Sequence, residues 1–188
     1  MISESFERAL ADARDLLQAG GFPFAVIGGL CVLVRGEARF TQDIDVVIAA
    51  EPQDALILLS HLDESGFQPV LEEDAAEFLM RAYMLPLRHG QTGLTVDIAI
   101  GAMGFERQLI QRAEEIRLGS LLLPVATAED LILMKLIAGR PRDVEDVEGV
   151  VLAQLELDWD YLLAVGAGLQ SALSQDLVPA IERLRDQA

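Results

Sequence analysis

The chain of 188 residues reads as a mixed α/β (α+β) protein. A mixed sheet flanked by helices spans residues 1–125, and a helical C-terminal part over 126–188 packs on it. Three observations predict this. The runs DIDVVIA (43–49) and LTVDIAI (94–100) are β-branched and apolar, as strands are. Amphipathic stretches with helical spacing surround them. From Thr127 onward only helical patterns occur, and no long linker precedes them.

The elements follow in order. Phe6, Leu10, Leu16 and Leu17 recur near helical spacing in Ser3–Ala19, and Gly20-Gly21 ends that helix. Phe24–Ile27 is a short strand, broken by Gly28-Gly29, and Leu30–Val34 restarts as a short buried helix. Asp43–Ala49 is a strand. Pro52 opens a helix that runs to about Glu64, and Gly66 closes it. Phe67–Leu71 and Ala76–Leu87 read as strands. Gly90–Gly93 reads as a hairpin turn before the strand Leu94–Ile100. A short helix over Phe105–Ala113 precedes a hairpin, Ile116–Leu118 with Leu121–Val125. Thr127-Ala-Glu-Asp130 is a capping-box-like start for a helix to Ala138. Pro141 begins the next helix, and Asp158–Leu169 and Leu177–Arg185 complete the set.

Composition excludes several classes. Fourteen basic residues against 31 acidic ones give a net charge of −17, and 52% of residues are hydrophobic. A disordered chain would combine high charge with low hydrophobicity. A simple nucleic-acid coat would carry a basic footprint. Aromatics at 5% are too few for a base-stacking platform. The single cysteine, Cys31, excludes an intramolecular disulfide and reads as a small buried side chain. The polar, acidic start MISESFERAL is unlike a signal peptide, and no apolar run approaches ~18 residues. A cytoplasmic protein without a membrane partner is expected.

The chemistry lies in the placement of the acids. Asp43 and Asp45 are i and i+2 on a strand, so they share a face roughly 7 Å apart along the chain. Adjacent carboxylates repel, and a hard divalent cation such as Mg²⁺ (or Mn²⁺) relieves that cost. A solvated strand edge is the bland alternative. Asp97 is the one charged residue between Thr92 and Met103. A lone carboxylate in an apolar strand needs a partner, and a metal shared with Asp43 and Asp45 supplies one. Gly28-Gly29, between a strand and a helix, could let backbone N–H groups cradle a phosphate; a tight turn is the alternative. Arg39 could pair with a phosphate, or be a surface arginine. Thr41 could bond near the metal, or be an ordinary strand threonine. Lys135 is the only charge in LILMKLIAG (131–139) and could rim a phosphate pocket or snorkel. Asp143 and Asp146 share a helical face near that helix's start, where acids also suit the dipole. Arg140 and Arg142 could hold a nucleotide phosphate or pair with Asp143 and Glu145.

In sum, the order is G-G, a short helix, R-x-T-x-D-I-D, a later strand Asp, then a lysine helix with R-x-R-D-x-x-D. It resembles the nucleotidyltransferases of the DNA polymerase beta-like superfamily, in particular the AbiEii/AbiGii toxin-like branch, over residues 20–152. The resemblance implies a nucleotidyltransferase-type sheet and a Mg-dependent transfer of a nucleoside monophosphate from an NTP to a hydroxyl. It implies that Gly28 and Gly29 bind the triphosphate, that Asp43, Asp45 and Asp97 hold the metal, and that Lys135 contacts phosphate. Asp143 or Asp146 matches the late acidic motif. The second glycine, Gly29, stands where many members have serine. The acceptor stays open between protein, RNA and small molecule. An RNA would require Arg35, Arg39, Arg81, Arg88, Arg140 and Arg142 to gather on one face. An antitoxin-type partner, or an inactive binding module with the same fold, are the other readings.

Overall fold

The computed structural model describes residues 2–36, 41–71, 74–101 and 104–188. It forms two compact units, Met1–Leu30 with Phe40–Ala126, and Cys31–Arg39 with Thr127–Ala188. The segment after Leu30 belongs to the second unit.

The first unit is built on a seven-stranded mixed sheet. Its strands are β1 (Phe24–Val26), β2 (Asp43–Ile48), β3 (Phe67–Pro69), β4 (Met84–His89), β5 (Thr95–Ile100), β6 (Glu114–Leu118) and β7 (Leu121–Val125), in spatial order β3-β4-β5-β2-β1-β7-β6. β2 pairs parallel with β5 and antiparallel with β1, and β1 pairs parallel with β7. The period-2 pattern decides which side is covered. Ile44, Val46 and Ile48, Val96, Ile98 and Ile100, and Leu85 and Leu87 are buried. Asp43, Asp45, Thr95, Asp97, Pro86 and Arg88 alternate with them and face the other way.

Helix α1 (Glu4–Ala19) is capped by Ser3, whose hydroxyl accepts from Phe6 N, and buries Phe6, Leu10, Leu16 and Leu17. α2 (Gly28–Arg35) follows β1 directly, and it opens at Gly28 rather than at Leu30. The helix expected over Pro52–Glu64 is three single turns, α3 (Pro52–Ala55), α4 (Ile57–Ser60) and α5 (Leu62–Ser65). Bonds of the i→i+3 type at Leu59 N→Leu56 O and His61 N→Leu58 O tighten the backbone between them. Residues 76–82, expected as strand, are helical. α6 (Ala75–Ala82) is nucleated by Asp74, whose carboxylate accepts from Ala76 N and Glu77 N. α7 (Gly104–Arg112) completes this unit.

The second unit contains α8 (Ala128–Ala138), α9 (Pro141–Ala153), α10 (Trp159–Leu173) and α11 (Leu177–Gln187). Thr127 caps α8 as expected, and Gly139 reverses the chain in the left-handed region at φ 61°. α10 runs past Leu169 to Leu173, and its Gly166 sits against Ile181, where a Cβ would lie 2.5 Å from Cδ1. Leu131, Ile132, Leu133, Val147, Val150, Leu162 and Ile181 form the core. Among the described residues, no helix is long and apolar enough to cross a membrane.

Candidate active site

Strand register brings the acids of the first unit together. Asp45 on β2 is the direct parallel partner of Asp97 on β5, and Asp43 is the partner of Thr95. Adjacent strands lie ~4.8 Å apart, so the three carboxylates share one patch of the open sheet face. Asp43 is exposed, and Asp45 and Asp97 are half-buried.

Two local devices fix the carboxylates of β2. Gly28 takes φ +60°, and a Cβ there would lie 1.9 Å from Asp45 Oδ2. Only glycine lets the backbone come this close in this conformation. In the first turn of α2, Gly29 N donates to Asp45 Oδ2 at 3.3 Å. Thr41 Oγ1 donates to Asp43 Oδ1 at 2.7 Å. The turn that follows β1 is thus tied to the aspartate strand sixteen residues later in the chain.

The carboxylates influence one another. Burial raises the pKa of Asp97 above its ordinary value, and the negative charges of Asp45 and Asp43 raise it further. A divalent cation would relieve this repulsion. The donor set, hard carboxylate oxygens on one face, fits Mg²⁺, which needs one or two carboxylates and takes water and phosphate oxygens for the rest. Among the described residues, no group of three or more His, Cys, Asp or Glu side chains is placed to hold a metal ion.

The second unit holds its own charged cluster. Lys135 Nζ donates to Asp143 Oδ1 and to Asp146 Oδ2, each at 2.7 Å. All three side chains are buried. Asp143 Oδ2 also accepts from Arg140 Nε at 2.8 Å and from Arg140 N at 3.2 Å, at the start of α9. Burial works to raise the Asp143 pKa, but the hydrogen bonds from Arg140 and Lys135 outweigh it and hold the carboxyl below its ordinary value. Arg142 is exposed. Cys31 is fully buried, and desolvation lifts its thiol to about 12 against the pull of Arg35 and Lys135, so it is no nucleophile at neutral pH.

Of the residues singled out in the sequence, Gly28, Gly29, Thr41, Asp43, Asp45 and Asp97 lie together in the first unit. Lys135, Asp143 and Asp146 meet one another in the second. Arg39 lies outside the described residues. Sequence reasoning treated Arg88 only as one of several scattered basic residues. Register puts it opposite Thr95, on the aspartate side of the sheet. The alternation in Leu85-Pro-Leu-Arg88 carried that signal.

The mixed seven-stranded sheet flanked by helices is a nucleotidyltransferase-like α/β fold. Residues 4–175 match the family described as "Nucleotidyltransferase of unknown function (DUF6036)", and the chain belongs to it. The protein is therefore an enzyme of the nucleotidyltransferase class. No curated protein matches the chain in sequence. Among solved structures, it is similar to the antibiotic-resistance factor ANT(2'')-Ia, with a TM-score of 0.57 and 14% identity over 98% of this chain and 96% of that one. It is similar to an antigenic nucleotidyltransferase-like protein from Paracoccidioides brasiliensis, with a TM-score of 0.55 and 15% identity over 95% of this chain and 91% of that one. It is also similar to the lincosamide antibiotic adenylyltransferase LnuA, with a TM-score of 0.52 and 18% identity over 79% of this chain and 96% of that one. At such identities the likeness is one of fold.

Proposed function

We propose that the protein moves a nucleoside monophosphate from an NTP to a hydroxyl of an acceptor, with Mg²⁺ (or Mn²⁺) as cofactor. The observation that carries this is the register of Asp45 with Asp97 beside the Gly28-Gly29 turn. The acceptor oxygen forms a bond to the α-phosphorus, the bond to the pyrophosphate breaks, and the acceptor proton leaves to a carboxylate. Asp43 and Asp45 would hold the metal, with Asp97 at its side. When bound, the ion supplies charge neutralisation for the triphosphate and the leaving group. Asp97, with its raised pKa, is suited to take the acceptor proton. Backbone N–H groups at Gly28-Gly29 would meet the anionic phosphates. Fixed positions do most of the work in such a reaction.

A nucleotide contact by Thr41, in the same unit as the aspartates, belongs to the same reading. The AbiEii/AbiGii-like setting, with an antitoxin-type protein partner, is one biological context for this activity. The test is thermal unfolding with each of the four NTPs, with and without Mg²⁺. At least one NTP should stabilise the protein only when Mg²⁺ is present, and Asp43→Asn/Asp45→Asn should abolish that gain. Stabilisation by none of the four would favour an inactive binding module with this fold.

A further inference from the structure

The sheet order separates two approaches to the aspartates. β1 and the Gly28-Gly29 turn lie on one flank of β2, and β5 then β4 lie on the other. If the triphosphate takes the glycine flank, as the proposed function has it, the acceptor must arrive over β5 and β4. Two rows of residues cross the sheet there. One runs Asp45–Asp97–Pro86 and the other Asp43–Thr95–Arg88, each through directly paired positions. Arg88 is thus two strands from Asp43, ~10 Å away at the strand spacing, on the same side of the sheet.

Arg88 is exposed, and among the described residues its side chain donates from Nη1 to the Gly93 carbonyl at 3.4 Å. Among the described residues it makes no ion pair with a carboxylate, although the chain carries 31 acidic residues. Arg8, Arg14 and Arg107 are each paired with an acid. Arg88 also lines a cleft of about 400 Å³ at the end of the sheet, between Ser3 and Phe6 at the start of α1 and Thr41, Gln42, Thr92 and Thr95. This volume lies within the range of small-ligand sites. Its lining offers a guanidinium and several hydroxyl and amide groups, which is the chemistry that recognises a phosphate. Thr41, which lines the cleft, also donates to Asp43 and so links the cleft to the carboxylate patch.

We infer that this cleft is the acceptor subsite, and that Arg88 selects a small hydroxyl compound carrying a phosphate group. The inference rests on the proposed function, which supplies the direction of approach. The same phosphate chemistry could come from the nucleotide, so the experiment has separate arms. Ribose 5-phosphate, ribose and glucosamine are titrated into the ¹⁵N-labelled protein without NTP, and the Arg88 side-chain Nε–H and the amides of 92–95 are followed. Ribose 5-phosphate should shift these signals, ribose and glucosamine should bind at least tenfold more weakly, and Arg88→Gln should remove the difference. Arg88→Lys should keep part of it, which separates lost charge from lost fold. Stabilisation by Mg²⁺ and NTP should be unchanged in Arg88→Gln. Equal binding of the three sugars overturns the inference. Loss of NTP stabilisation in Arg88→Gln also overturns it, since Arg88 would then serve the nucleotide. If Asp43→Asn/Asp45→Asn leaves NTP stabilisation intact, the proposed function fails, and the sugar titration still reports on the cleft by itself.

Discussion

At the scale of single residues, Gly28 and Asp97 carry the sharpest consequences. Gly28→Ala would place a methyl group within the Asp45 carboxylate, on a backbone that L-residues rarely adopt. Either α2 must start later or Asp45 must rotate off the Gly29 N–H. The expected cost is about 2 kcal/mol or more, read as a lower urea midpoint at unchanged m-value, together with loss of NTP stabilisation. An unaltered midpoint would show that the close approach has no energetic weight. Asp97 works in the opposite sense. Its folded pKa is raised, so its contribution to stability is fully present below the ordinary carboxylate pKa and is lost as pH rises through the folded value. In EDTA at neutral pH, Asp97→Asn should therefore be more stable than the parent. The group is partly exposed and solvent-screened, so the gain should stay under about 1 kcal/mol. It should vanish near pH 3 and be replaced by a deficit when Mg²⁺ and NTP are added. Matched urea curves at two pH values decide this, and a gain that persists in acid would mean that repulsion is not the cause.

At the scale of elements, the turn between α8 and α9 decides the second unit. Gly139 in the left-handed region and Pro141 at the first turn fold α9 back so that Lys135 meets Asp143 and Asp146 eight and eleven residues on. Lys135→Met would remove the lysine from two buried carboxylates, with Arg140 still on Asp143, at a cost of about 3–5 kcal/mol. Replacing all three by apolar residues of similar volume should cost far less, and equal losses in the two variants would refute the pairing. Asp143 has a lowered pKa, so its stabilisation is present above the ordinary carboxylate pKa and is lost as pH falls through the folded value. Asp143→Asn should flatten the acid limb of the stability curve. The sequence showed the lysine and both acids but not their meeting, because partnership across a turn depends on the left-handed glycine between them. The helix α6 was illegible for a related reason. It stops at Tyr83, φ 54°, where a glycine would have marked the end, and its apolar residues run straight into β4. By contrast, β2 and β5 were plain from their alternation, and with them the aspartates. Their register could not be read, since parallel neighbours distant in sequence leave no local trace.

At the scale of the whole molecule, the net charge of −17 sets the background against which any specific cation effect must be judged. Self-repulsion destabilises a compact state so highly charged, and simple screening relieves it. Sodium chloride alone should raise the unfolding midpoint in EDTA, with most of the effect complete by ~0.15 M, where the Debye length is about 8 Å. Any magnesium salt will do the same through its ionic strength, so stabilisation by Mg²⁺ is not by itself evidence of a site. The carboxylate patch makes a further demand. At matched ionic strength, Mg²⁺ in the presence of an NTP should add a saturable gain of RT ln(1 + [L]/Kd), ~2.7 kcal/mol at one hundred times Kd. Asp43→Asn/Asp45→Asn should erase this excess while leaving the sodium response almost intact, because two charges of a large surplus are a small part of the general field. If the double variant changed both responses in proportion, the aspartates would be ordinary members of an acidic surface. Calorimetric scans in sodium and magnesium chloride, with and without nucleotide, separate the two cases.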